Sequence, residues 1–98
     1  MAEIELQIVT TEKNIYTGTV DYIGVQSTEG RLGILPNHVS LITELSEGNV
    51  TYKESGNTKE NENKILTNTV NTKEIEITGG FMEVFKNSVT ILADSVKI

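Results

Sequence analysis

Short runs in which every second residue is apolar recur along this chain, and no segment sustains the three- and four-residue apolar spacing of an amphipathic helix. Ile4, Leu6 and Ile8 alternate with Glu3, Glu5 and Gln7, which is the period of a strand with one face buried and the other wet. A second extended segment runs from Tyr16 to Val25. In it Val20 and Tyr22 share one face while Ile23 and Val25 share the other, so either both faces are covered or a bulge lies between them. Ile75 and Ile77 restore the alternation, and Phe81 to Phe85 and Val89 to Ala93 form two strands joined at Lys86-Asn87-Ser88, a hairpin signal. The pattern implies about eight to ten short strands and an all-β sandwich or barrel. With 98 residues, 1–98 is read as a single domain around one core.

The punctuation between strands is equally specific. Gly30, Gly33 and Pro36, the only proline, bracket Leu32, Ile34 and Leu35 in a shaped loop with a short strand. Val39 to Leu45 stays ambiguous on periodicity, because Leu41, Ile42 and Leu45 also suit a short helix. Gly48 leads into Val50 and Tyr52, after which Lys53 to Lys64 holds no apolar residue. Such a stretch buries nothing to offset backbone ordering, and it is expected to be a solvated hairpin tip or disordered loop. Ile65 to Glu74 then recovers weakly, with the Thr-rich alternation of an exposed strand. A polar hairpin or loop extension is therefore expected at about 53–73.

Composition removes several function classes. Fourteen acidic against eight basic residues give a net charge of −6, the wrong sign for nucleic acid or anionic lipid. No run approaches the ~20 apolar residues of a membrane span, and the N-terminus lacks a secretory pattern. A soluble chain that stays where it is made is the expectation. Cysteine is absent, so disulfides, thiolate metal sites and cysteine nucleophiles are excluded.

No catalytic, cofactor-binding or metal-ligating residue is assigned. His38 is the only histidine; it is read as an interface residue ahead of a loop-stabilising one, with catalysis far behind. Gly30 and Gly33 lack the Lys-Ser/Thr ending of a phosphate loop. Glu3 and Glu5 stand two apart on a wet strand face and read as solubilising rather than as an acid–base pair. Phe81, Met82, Val84 and Phe85 occupy both faces of one strand, and Met82 or Phe85 is a candidate for lying under a partner. A freestanding carbohydrate-binding module is the rival reading. The lack of tryptophan counts against it, since such modules stack aromatic rings on their ligands. A small hydrolase fails for want of a nucleophile and base constellation.

The run Thr28-Glu29-Gly30-Arg31-Leu32-Gly33-Ile34-Leu35-Pro36-Asn37-His38 resembles the signature of F-type ATP synthase epsilon subunits, in which Leu-Gly-Ile-Leu-Pro-Gly-His precedes a Leu-rich strand. Ile8-Val9-Thr10 with Tyr16-Thr17-Gly18 resembles the family's opening. Thr78-Gly79-Gly80-Phe81-Met82-Glu83-Val84 with Val89-Thr90-Ile91-Leu92-Ala93-Asp94 resembles its closing hairpin. The resemblance implies a flattened ten-stranded β-sandwich, in which Val39 to Leu45 is extended.

It also implies a non-catalytic central-stalk (rotor) subunit, docked to the gamma subunit and to the membrane rotor ring of c subunits, that couples proton- or sodium-driven rotation to ATP synthesis. The implied place is the cytoplasmic face of the bacterial plasma membrane, peripheral and without direct lipid insertion. Ring-facing positions correspond to Glu29, Gly30, Arg31, Leu32 and Gly33, and gamma-facing ones to Thr10, His38, Leu41 and Thr43. Four departures stand out. Arg31 replaces an acidic residue of many relatives, so Glu29, or an acidic change in the ring, is expected to take over that contact. Gln26 replaces a proline, and the polar stretch is longer than the family's usual connection. The family's C-terminal helical hairpin does not follow Val-Thr-Ile-Leu-Ala-Asp before Ile98, so inhibition of ATP hydrolysis is not expected of this polypeptide.

Overall fold

Alternate side chains of nearly every strand turn inward, and that is what closes the molecule. The structure is a computed structural model that describes residues 3–54 and 72–97. Among the described residues are nine strands: β1 (Ile4–Val9), β2 (Asn14–Ser27), β3 (Gly30–Ile34), β4 (Leu41–Leu45), β5 (Gly48–Glu54), β6 (Thr72–Ile77), β7 (Gly80–Phe85), β8 (Ser88–Ala93) and β9 (Val96–Lys97). The all-β expectation holds, with nine strands described where the resemblance implied ten. Of the segment 39–45, Leu41–Leu45 is extended as β4, as the resemblance rather than the periodicity required.

One layer runs β1-β8-β7-β4, with the first half of β2 along the free side of β1; the other holds β3, the second half of β2, β5, β6 and β9. β1 and β8 are parallel, whereas every other pairing is antiparallel. Ile4, Leu6, Ile8, Met82, Val89 and Ile91 face inward from the first layer and meet Ile23, Val25, Ile34, Val50, Tyr52 and Ile77 from the second. Each such side chain contributes roughly 1.5–3 kcal/mol through burial.

β2 belongs to both layers. Its first half pairs with β1 and its second with β3 and β5. The change of phase seen in the sequence is a bulge: Val20 and Tyr22 oppose the consecutive residues Glu54 and Lys53, leaving Asp21 as the extra residue. One inserted residue lets Val20 and Ile23 both point into the core. Lys53, Thr72 and Lys73 belong to the β5–β6 ladder, and Glu54 pairs with Val20 of β2. The solvated tip and the exposed strand expected over the rest of 53–74 fall largely on 55–71, outside the described residues.

Lys86 and Asn87, at φ 48° and 62°, make the two-residue turn between β7 and β8, the left-handed pair that matches strand twist. Asn37 takes φ 68° where the family signature has glycine. Asparagine tolerates that region better than other side-chain-bearing residues. The two asparagines also clasp their loops together, for Asn37 N donates to Asn87 Oδ1 at 2.6 Å and Asn87 Nδ2 to Asn37 Oδ1 at 3.3 Å.

Near the β5 end, Tyr16 donates its phenol to Glu54 Oε2 at 3.1 Å, with its ring 4.5 Å from that of Tyr52. Burial, and then the Glu54 carboxylate, push the Tyr16 phenol up from 10.0 to about 12. The folded state therefore prefers the neutral phenol more than the unfolded chain does. Its contribution to stability is complete below pH 10 and disappears as pH rises through about 12. Urea midpoints measured across that alkaline window should fall more steeply for the parent than for Tyr16→Phe. Equal slopes would exclude this phenol as the cause.

Candidate functional site

The turn between β2 and β3 is built on Ser27, the one buried polar side chain among the described residues. Its hydroxyl donates to Gly30 O at 2.7 Å and accepts from Glu29 N at 3.1 Å. Thr28 N donates to Glu44 O at 3.2 Å and Ser46 N to Gln26 O at 2.9 Å, which seats the turn beside the β4–β5 corner. Lys97 pairs with Glu47 at the same corner and lies 3.7 Å from Glu76; its hydrogen bond holds the Glu47 carboxyl below its ordinary value. Glu29 and Gly30 are thereby presented to solvent on a fixed turn.

The other three ring-facing candidates are oriented differently. Arg31 Nη1 donates to Asn49 O at 2.9 Å and Nη2 to Thr51 Oγ1 at 3.3 Å. Its guanidinium is thus laid across β2 onto β5, fastening the edge strand β3. Leu32 packs against the core. Gly33 lies under the Tyr22 ring, whose hydroxyl would stand 3.0 Å from a Cβ at that position. Two nitrogens of the exposed Arg31 guanidinium are thus engaged within the domain, and Glu29 is the acidic side chain that the turn projects.

The four gamma-facing candidates are not brought together into one patch. Thr10 Oγ1 accepts from Glu12 N and Lys13 N, both at 3.2 Å, and closes the β1–β2 turn. His38 Nδ1 lies 2.8 Å from Val39 O in the β3–β4 loop. Leu41 and Thr43 are on the half-buried, inward-turned side of β4, and Leu41 packs on the core. Thr10 follows β1, across the layer from β4.

What lies between them is a surface the sequence reading did not assemble. On the outward face of β4, β7 and β8, Ile42 is 72% exposed, Phe81 53%, Phe85 54% and Leu92 43%. The registers Phe81↔Leu92, Glu44↔Phe81 and Ile42↔Glu83 set these side chains in adjoining rows. Met82 and Val84 point the other way and are buried, so of the two residues considered for a partner contact only Phe85 is exposed. The signal was present in the alternation Phe81-Glu83-Phe85 opposite Thr90-Leu92, once Met82 and Val84 are assigned inward. A cluster of large apolar side chains on one sheet face marks a surface for another protein. Among the described residues no group of three or more His, Cys, Asp or Glu side chains is placed to hold a metal ion.

Comparison with known proteins agrees with this architecture. Residues 3–98 match the family described as ATP synthase, Delta/Epsilon chain, beta-sandwich domain. The ATP synthase epsilon chain of Alkalihalophilus pseudofirmus is 36% identical over 98 residues, covering 100% of this chain and 63% of the relative. That of Herpetosiphon aurantiacus is 39% identical, covering 96% of this chain and 59% of the relative. For the Corynebacterium jeikeium protein the figures are 37%, 97% and 68%. The chain thus spans about three-fifths of the length of most of these relatives.

Among solved structures, a chain of the Euglena gracilis mitochondrial ATP synthase OSCP/F1/c-ring assembly superposes with a TM-score of 0.78 at 21% identity, covering 99% of this chain and 54% of that one. A chain of the Tetrahymena thermophila mitochondrial ATP synthase central stalk/c-ring gives 0.70 at 18%, covering 96% and 65%. At such identities the likeness concerns the fold. The family match over nearly every residue means that the chain belongs to the ATP synthase delta/epsilon family as its β-sandwich domain.

Proposed function

We propose that this domain is a non-catalytic part of the central stalk of an F-type ATP synthase, held between a gamma subunit and the membrane rotor ring. The observation that carries the reading is the outward face of β4, β7 and β8, where four large apolar side chains stand in water. On this reading the face packs on gamma, with Thr10 and His38 at its margins and Leu41 and Thr43 beneath it. Leu41 and Thr43 act from beneath, by fixing the edge strand that carries Ile42. The Glu29 turn with Gly30, Arg31, Leu32 and Gly33 faces the ring of c subunits, and Glu29 supplies the charge while Arg31 stiffens the edge. The domain makes and breaks no bond. It is peripheral to the membrane through the complex, on the cytoplasmic face in a bacterium, and it transmits rotation by not deforming.

The test is association of the purified chain with a gamma subunit. A specific interface of this kind buries roughly 1,200–2,000 Å² in total. Ile42→Ser should weaken that complex by about 10- to 30-fold, the loss expected for truncating a central apolar anchor. Its urea midpoint should stay at the parent value, because Ile42 touches the core little. No complex with gamma, or one indifferent to Ile42, would remove the reading.

A further inference from the structure

Within the apolar face one acidic side chain is out of keeping. Glu83 stands at its centre, flanked along β7 by Phe81 and Phe85 and across the ladders by Ile42 on β4 and Thr90 on β8. Among the described residues its carboxylate has no cationic partner. The nearby Lys86 ammonium instead sits over the Phe85 ring, 5.4 Å from the centroid. Beside Glu83 a shallow, open depression of about 370 Å3 lies between β4 and β7, lined by Ser40, Leu41, Ile42, Glu83, Val84 and Phe85. A second carboxylate, Glu44, lies one row away opposite Phe81.

An isolated carboxylate is harmless while this face is wet. Once the apolar side chains around it are covered, it loses water, and a charge taken out of water without a counter-ion is strongly unfavourable. A partner that offers only apolar groups is therefore rejected at the middle of the patch. One that places a cation there removes the penalty and gains a charge-assisted hydrogen bond in a site shielded from salt. The walls of the depression suit the long stem of a basic side chain, which packs its methylenes on Ile42 and Phe85 while its head reaches the carboxylate.

We infer that the outward face of β4, β7 and β8 docks a protein surface that inserts a basic side chain, arginine or lysine, into the depression beside Glu83. This rests on the docking role proposed above and adds the chemistry of the anchor. The net charge of −6 on the chain favours the same sign of partner.

The experiment measures affinity of the parent and variants for a gamma subunit at two salt concentrations. Glu83→Gln keeps the shape of the side chain and should weaken the complex by about 10-fold while flattening its salt dependence, and Glu83→Lys should weaken it by about 100-fold or more. Glu74→Gln, on the other layer, is the control for a general loss of charge and should leave affinity and salt slope unchanged. If Glu83→Gln binds as tightly as the parent while Ile42→Ser weakens the complex, the face docks without a basic anchor and the inference is wrong. If Ile42→Ser and Phe81→Ala are also without effect, the docking role itself fails and the inference falls with it.

Discussion

Gly80→Ala should cost the fold about 2–6 kcal/mol, the combined range for a strained backbone and an overfilled contact. Gly80 opens β7, where it is paired on one side with Leu45 and on the other with Ala93. Its φ is +149°, and a Cβ there would lie 2.0 Å from Leu92 O and 2.9 Å from Ala93 Cα. Both obstacles are backbone of β8, which cannot swing aside as a side chain can. A single methyl group therefore forces β7 and β8 apart at the end where β4 also joins. Against a net stability of roughly 5–15 kcal/mol, this is among the most severe one-methyl changes the molecule can suffer.

Gly30 provides the comparison. Its φ of +131° is also unfavourable for a side chain, yet nothing lies within 4 Å of a Cβ there. Gly30→Ala should show the conformational part alone, about 1–3 kcal/mol. Urea unfolding of both variants checks this: with slopes of about 1–3 kcal/mol/M for small proteins, Gly80→Ala should lie well below Gly30→Ala in midpoint. Coincident midpoints would mean that β8 gives way cheaply and that the crowding is not structural.

The second large effect is in the core. Ile91→Ala should destabilise by about 2–5 kcal/mol, the lost transfer energy plus the cavity left between sheets. Ile91 is fully buried in the middle of β8, with Ile8 of β1 on one side and Met82 of β7 on the other. These neighbours on the two flanking strands hinder the site from collapsing. The adjacent Thr90 points outward, and Thr90→Ala should stay within about 0.5 kcal/mol of the parent. Thermal or urea denaturation of the pair reads the two-residue period directly; similar losses at both positions would contradict the assignment of faces.

Much of the architecture could be read before the structure, because in β1 and β8 a two-residue period has only one satisfactory burial, whereas in β7 the apolar residues on both faces left Met82 and Phe85 undecided. The β7–β8 turn was equally legible, since Lys86-Asn87 sits between two such runs. β4 was not. Leu41, Ile42 and Leu45 are spaced like a helical turn because Ile42 is apolar on the wet face, so the residue that spoils the alternation is the one that makes the surface useful. Local rules tend to fail where a site has been built. Arg31 illustrates a different limit. Its charge reversal is visible in the sequence, but its partners on β5, Asn49 and Thr51, are distant along the chain and meet it only through the β2–β3–β5 arrangement. β9 is only two residues long, too short for any period. The proposed docking face joins β4 to the β7–β8 hairpin, which lies far along the chain, so no single window contains it.

The sharing of β2 between the two layers has a mechanical corollary. In a sandwich whose sheets touch only through side chains, shear is resisted by packing alone, and the layers can creep past one another. Here a continuous main chain crosses from one to the other at the Asp21 bulge, so relative sliding must stretch covalent bonds or break the ladder on one side. A load applied at the outer face of the β4 layer is therefore delivered to the β3 edge through backbone, with little give along the way.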